Sequence, residues 1–119
     1  MQDKTVFTKH DAQGNKIEEY GNYHQVDRHT NFRTFYFYSP SNQLIKEKTY
    51  FLEDDNKACK IVDSADFTEV IYTYNNSGEM ELEKIYHPKY DGNGKVVAHY
   101  LAYRKNHISG KQETFSEPE

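Results

Sequence analysis

The fold is decided by residues 72–86, which read YTYNNSGEMELEKIY. Side chains alternate in character on both sides of the Asn-Asn-Ser-Gly segment, and this period of two is typical of a strand that buries one face. Gly78 closes the segment, and glycine enters the left-handed backbone region, where φ is positive, at little steric cost. The stretch therefore predicts a β-hairpin with Gly78 in its turn.

The same turn pattern occurs three more times along the chain. An Asp, Ser or Asn stands at the first place, where its side chain folds back onto the turn backbone, and a Gly or Asn stands at the fourth. The three copies are DAQGNKI at residues 11–17, SPSNQLI at residues 39–45 and DGNGKVV at residues 91–97. Positive φ is expected at Gly14, Asn42, Gly78 and Gly94. Hairpins repeated in this way predict an all-β domain of antiparallel strands, arranged as a curved sheet, a small open barrel or a sandwich.

Two longer segments interrupt the repeat. Residues 21–31 are polar and rich in His and Asn, so a loop is expected there. Residues 52–69 are expected to hold an extra strand at 57–62 and at most one short helical turn at 64–69, because a Ser followed by a Glu near the third helical position favours a helix start.

The composition fits a single tyrosine-rich β domain. The chain has 119 residues and 1 Cys, so one domain without an internal disulfide is expected. Its 11 Tyr and 7 Phe outnumber its Val, Ile and Leu residues, and aromatic side chains suit half-buried sheets. We expect the domain to span residues 1–115, with a last hairpin around Gly110, and residues 116–119 to form a flexible tail.

Charge and hydropathy disfavour several classes of protein. The net charge is −4 and no cluster of Lys and Arg occurs in the sequence, so direct binding of nucleic acid, which rests on neutralising phosphates, is not expected. Apolar runs are only a few residues long, far short of a membrane span. The first residues hold no apolar leader, which favours the cytoplasm, with the periplasm or secretion after removal of a leader as the alternative.

No motif in the sequence indicates catalysis. His24, Asp27 and His29 lie close together in sequence, but a metal site needs about four ligands and no further paired ligands stand nearby. Cys59 lies in a strand-like run, where an inert buried thiol is the usual case. We therefore expect a protein that is not an enzyme and uses neither a metal nor another cofactor.

Two of the hairpins resemble a known class of repeat. Residues 37–50 read FYSPSNQLIKEKTY, and residues 72–86 share their order of an aromatic strand end, a turn, an apolar residue and a Lys/Glu-rich strand ending in Tyr. This order resembles the degenerate hairpin repeats of bacterial MORN-variant and YD-type proteins. The resemblance implies a place in interbacterial toxin systems, as an antitoxin-like or immunity-like protein, and it assigns no functional residue.

Two groups of residues are candidates for binding a partner. The first is the acidic insertion, which consists of Glu53, Asp54, Asp55, Asp63 and Asp66. Inhibitors of nucleases present such patches because their targets hold phosphates. The second is a set of alternating tyrosines whose rings are expected to stay partly exposed, because these strands carry more aromatics than one sheet face buries. This set comprises Tyr36, Tyr38, Tyr72 and Tyr74.

The preferred function is therefore an immunity or antitoxin-like protein that occludes the active site of a toxin, with a basic nuclease-type toxin as the expected partner. One alternative is a secreted or lipid-anchored surface module that binds glycan or protein through its tyrosines. Another is a small barrel that encloses an apolar ligand.

Overall fold

The described part of the chain forms one antiparallel sheet. A computed structural model describes residues 4–25, 28–52, 61 and 63–118. Its strands β1–β8 span Lys4–His10, Lys16–Gln25, Arg28–Tyr38, Leu44–Leu52, Phe67–Tyr74, Met80–Tyr90, Val96–Asn106 and Gln112–Thr114. Each strand pairs with its neighbours in chain order, from β1 at one edge to β8 at the other. The all-β prediction is confirmed, and among the described residues the sheet is open and contains no helix.

The predicted turns are confirmed in position and in conformation. The values of φ are 86° at Gly14, 67° at Asn42, 81° at Gly78 and 80° at Gly94. The first residue of the turn acts as expected, since Asp11 Oδ1 accepts hydrogen bonds of 2.9 Å from the backbone N–H groups of Gln13 and Asn15. Asn75 and Asp91 accept the equivalent pairs of bonds in their own turns. The hairpin around Gly110 also forms, with φ of 78° at that glycine.

The loop predicted over residues 21–31 is wrong. β2 continues to Gln25 and β3 begins at Arg28, and the two strands pair through this stretch, with Asn22 opposite Asn31 and His24 opposite His29. Asn and His have low strand propensity, but the pairing partner satisfies the backbone groups whatever the side chain, so the neighbouring strand overrides local preference.

The short helical turn that the sequence allowed at residues 64–69 does not form. Asp63 Oδ1 accepts the N–H of Ala65 at 2.9 Å, and the N–H of Asp66 donates to Asp63 O at 3.0 Å, which closes a turn. β5 then begins at Phe67, which pairs with Tyr50. Aromatic and β-branched residues dominate this stretch, and they favour a strand. Of the predicted strand at residues 57–62, only residue 61 lies within the described residues.

The sheet is one layer thick. Its extents are 45 × 43 × 25 Å and its radius of gyration is 16.1 Å, whereas a compact domain of this length would have about 13.5 Å. No described side chain is fully buried, and even Glu18, the one polar residue classed as buried, keeps 8% of its surface exposed. Packing therefore occurs between neighbouring side chains on each face, and no described element covers either face.

Candidate binding faces of the sheet

Strand register divides the side chains between two faces of different chemistry. Directly opposed residues in an antiparallel pair project to the same side, and successive residues project to opposite sides. One side, the tyrosine face, carries Glu19, Tyr36, Tyr38, Glu47, Tyr72, Tyr74 and Glu83. The other side, the cationic face, carries Arg33, Lys46, Lys48, Lys84 and Arg104.

On the tyrosine face, the same hydrogen bonds occur twice. The Tyr36 hydroxyl donates to Glu19 Oε1 at 3.1 Å, and Tyr72 donates in the same way to Glu47. Two residues further along each strand, Tyr38 donates to the carbonyl of Lys16 at 2.7 Å and Tyr74 to that of Leu44 at 2.6 Å. The internal repeat read from the turns thus extends to side-chain contacts, with β2–β3 as one unit and β4–β5 as the next.

These bonds fix the four predicted tyrosines in place. All four are half-buried, as expected for rings that remain partly exposed. Burial, and then the hydrogen bond to Glu47, raise the pKa of Tyr72 well above its usual value. Burial and the nearby charge of Asp11 raise the pKa of Tyr38. Both hydroxyls therefore stay protonated at neutral pH and act as donors.

A depression opens on this face between the two repeat units. It has a volume of about 310 Å³ and is lined by Glu19, Phe32, Thr34, Tyr36, Glu47 and Thr49. The two threonine hydroxyls lie 3.0 Å apart and bond to each other across β3 and β4. Carboxylates of the two repeat units thus meet at one depression with aromatic walls, which suits a cationic group of a ligand.

The two carboxylates at the depression differ in their neighbours. Glu19 forms an ion pair of 3.3 Å with Lys16. Among the described residues, Glu47 accepts a hydrogen bond from the neutral hydroxyl of Tyr72 and forms no ion pair. Glu47 therefore has no counter-charge at ion-pair distance within the described part of the chain, and its carboxylate can attract an external cation.

Of the acidic insertion, the two described residues, Asp63 and Asp66, do not line this depression. Glu53, Asp54 and Asp55 are outside the described residues. Asp63 is exposed and caps the turn before β5, while Asp66 accepts a hydrogen bond of 2.6 Å from the Tyr90 hydroxyl. Burial and that bond raise the pKa of Tyr90 to about 12. Asp66 precedes β5 and Tyr74 ends it, so these two predicted site residues are roughly 26 Å apart along the strand.

The cationic face was not anticipated from the sequence. The Arg33 guanidinium lies 5.0 Å from the Tyr20 ring and 4.9 Å from the Phe35 ring, and it pairs with Glu18 at 3.2 Å. Lys48 stands 4.2 Å from the centre of the Phe67 ring. The period-two spacing of Lys46 and Lys48 was the available signal, but Arg33 and Arg104 join them only through the strand register.

Neither a candidate metal site nor a membrane-spanning helix is found in the described residues. No group of three or more His, Cys, Asp or Glu side chains there is placed to hold a metal ion. His24 and His29 oppose each other in the ladder, while Asp27 lies outside the described part. Within the same residues no helix is long and apolar enough to cross a membrane.

Comparison of the chain with protein-family models, with curated proteins and with solved structures finds no match. The assignment of a function therefore rests on the two faces of the sheet and on their charges.

Proposed function

We propose that this protein is a non-catalytic binding protein of the immunity or antitoxin type, which neutralises a bacterial toxin by covering its active site with the tyrosine face. The depression between Glu19 and Glu47 is the observation that carries the proposal. A toxin that acts on nucleic acid lines its active site with Lys and Arg to hold phosphates, and a carboxylate-bearing surface competes for the same cations.

The tyrosines would supply the contact area around the depression. A tyrosine ring offers a large, partly apolar surface and has few rotamers to lose on binding. Here the hydroxyls of Tyr36 and Tyr72 are already held by Glu19 and Glu47. Side chains that are ordered before association lose less entropy when the partner arrives, so more of the contact energy appears as affinity.

The acidic insertion has a separate role in this proposal. Neither Asp63 nor Asp66 is among the described residues that line the depression, so we treat the insertion as a separate element. Exposed carboxylates at the rim of an interface speed the encounter with a basic partner and contribute little to holding it. We assign Glu53, Asp54, Asp55 and Asp63 to this steering role.

The test begins with capture of the partner from the native host on the tagged chain, followed by reconstitution from the two purified proteins. One equivalent of the wild-type chain is expected to abolish the toxic activity of the partner. Glu47→Gln should weaken inhibition by about tenfold or more, since it removes a charge that faces a cation in the complex.

Glu79→Gln is the matched control, because Glu79 is exposed in the turn before β6 and does not line the depression. A partner that keeps full activity in the complex would contradict the immunity role. Binding of a glycan or of an inert surface protein would instead support the surface-module alternative.

A further inference from the structure

The cationic face contains a pair of like charges that the fold itself does not explain. Lys84 on β6 lies directly opposite Arg104 on β7. Like charges that face each other across neighbouring strands are destabilising. Arg104 forms an ion pair of 2.6 Å with Glu113. Lys84 has no ion-pair partner among the described residues, so no carboxylate offsets its charge.

A pocket lies at this pair of charges. It has a volume of about 250 Å³ and is lined by Leu82, Lys84, Arg104, Asn106, Ser109, Lys111 and Glu113. Three cationic side chains and one carboxylate therefore line the pocket. The hydrogen bond from Arg104 holds the pKa of the Glu113 carboxyl below its usual value, so this carboxylate stays ionised. The pocket keeps a net positive charge at neutral pH.

The turn between β7 and β8 adds polar groups to the pocket. Asn106 Oδ1 accepts the backbone N–H groups of Ile108 at 2.9 Å and Ser109 at 3.0 Å, and Gly110 takes positive φ, which fixes the turn. The Ser109 hydroxyl accepts the N–H of Lys111 at 3.3 Å, which leaves its own proton to donate. Two ammonium groups, a guanidinium and a hydroxyl are the donors that phosphate oxygens require.

We propose that this pocket binds a phosphate group, with Lys84, Arg104 and Lys111 as its cationic ligands. The bound dianion would neutralise the Lys84–Arg104 repulsion, so the ligand would stabilise the edge of the sheet formed by β6, β7 and β8. The phosphate comes either from the free ion or from a phosphorylated side chain. This site lies on the opposite face of the sheet from the tyrosines. A result that contradicts the proposed function therefore does not contradict the phosphate site, and the reverse also holds.

The test is a titration of the isotopically labelled protein followed by NMR, at constant ionic strength, with inorganic phosphate and with a Gly-phosphoserine-Gly peptide. Both probes are expected to shift the backbone amide signals of Ser109, Gly110 and Lys111 in a saturable manner. The expected dissociation constant for phosphate is on the order of millimolar, as befits a small ligand at an open site. Tighter binding of the peptide would assign the phosphate to a phosphorylated side chain, and equal or weaker binding would assign it to the free ion.

Lys84→Met is the variant that tests the site, because it keeps the apolar stem and removes the charge. It is expected to weaken phosphate binding about tenfold, and without phosphate it should melt at the same or a higher temperature, since it removes a repulsion. Lys89→Met is the control, because Lys89 lies on the same strand but projects to the tyrosine face. Shifts that sodium chloride reproduces, or that both variants lose equally, would overturn the proposal.

Discussion

The Tyr72 hydroxyl donates a hydrogen bond to Glu47, and this contact repeats the bond that the preceding hairpin unit makes. A tyrosine ring is thereby held against the surface of a sheet whose described residues form a single layer. The bond orders the ring for a partner, and it also contributes to the stability of a fold in which no described side chain is fully buried.

The raised pKa of Tyr72 predicts loss of stability at alkaline pH. Its folded pKa lies above the ordinary value of 10.0, so the folded state holds the proton more tightly than the unfolded state does. Stability from this group is complete below pH 10 and decreases as the pH rises above 10 toward the folded pKa. Urea unfolding between pH 8 and 11.5 should show a smaller decrease for Tyr72→Phe than for the wild type, and equal decreases would contradict the pKa assignment.

Two glycines of one turn allow a clean test of the positive φ. A Cβ at Gly94 or at Gly92 would meet nothing within 4 Å, but only Gly94 has positive φ, at +80°. We expect Gly94→Ala to reduce the free energy of unfolding by about 1 kcal/mol. Gly92→Ala should be neutral or stabilising by up to about 1 kcal/mol, because it restricts the unfolded chain. Equal effects in urea unfolding would show that the conformation of the turn is not what selects glycine.

The ion pair between Arg33 and Glu18 predicts a large loss of stability when the Glu18 side chain is truncated. Both side chains are mostly buried, and Arg33 Nε is buried without a hydrogen-bond partner among the described residues. Glu18→Ala is expected to lower the free energy of unfolding by about 2 kcal/mol, because it leaves the guanidinium without its counter-charge. Glu113→Ala removes a more exposed partner of Arg104, so a smaller loss is expected there.

The turns were predictable from the sequence because their chemistry is local. Gly14, Asn42, Gly78 and Gly94 need no distant contact to adopt positive φ, and the alternation beside them indicates strands. The strand pairing through residues 21–31 was missed because this segment is polar throughout and shows no alternation of apolar and polar side chains. The pairing of Lys84 with Arg104 was missed because register between strands depends on bulges, and one bulge lies next to this pair. Whether the sheet closes into a barrel depends on twist accumulated over all strands, which no short motif encodes.

The acidic insertion should govern how fast the partner binds. We expect Asp54→Asn combined with Asp55→Asn to lower the association rate more than it raises the dissociation rate, because rim charges steer the encounter. The measurement is binding kinetics with the captured partner from about 50 to 500 mM salt, over which the screening length shrinks from above 10 Å to a few Å. An association rate that is unchanged at every salt concentration would exclude the insertion as the steering element.

The most direct test of the account is to find which face the partner covers. Hydroxyl-radical footprinting read by mass spectrometry reports the exposure of tyrosine rings, and each face has its own: Tyr36 and Tyr72 on the tyrosine face, Tyr50 and Tyr86 on the cationic face. We predict that the captured partner protects Tyr36 and Tyr72 from oxidation and leaves Tyr50 and Tyr86 as reactive as in the unbound chain. Protection of Tyr50 and Tyr86 with no change at Tyr36 and Tyr72 would contradict the proposal that the tyrosine face binds the partner.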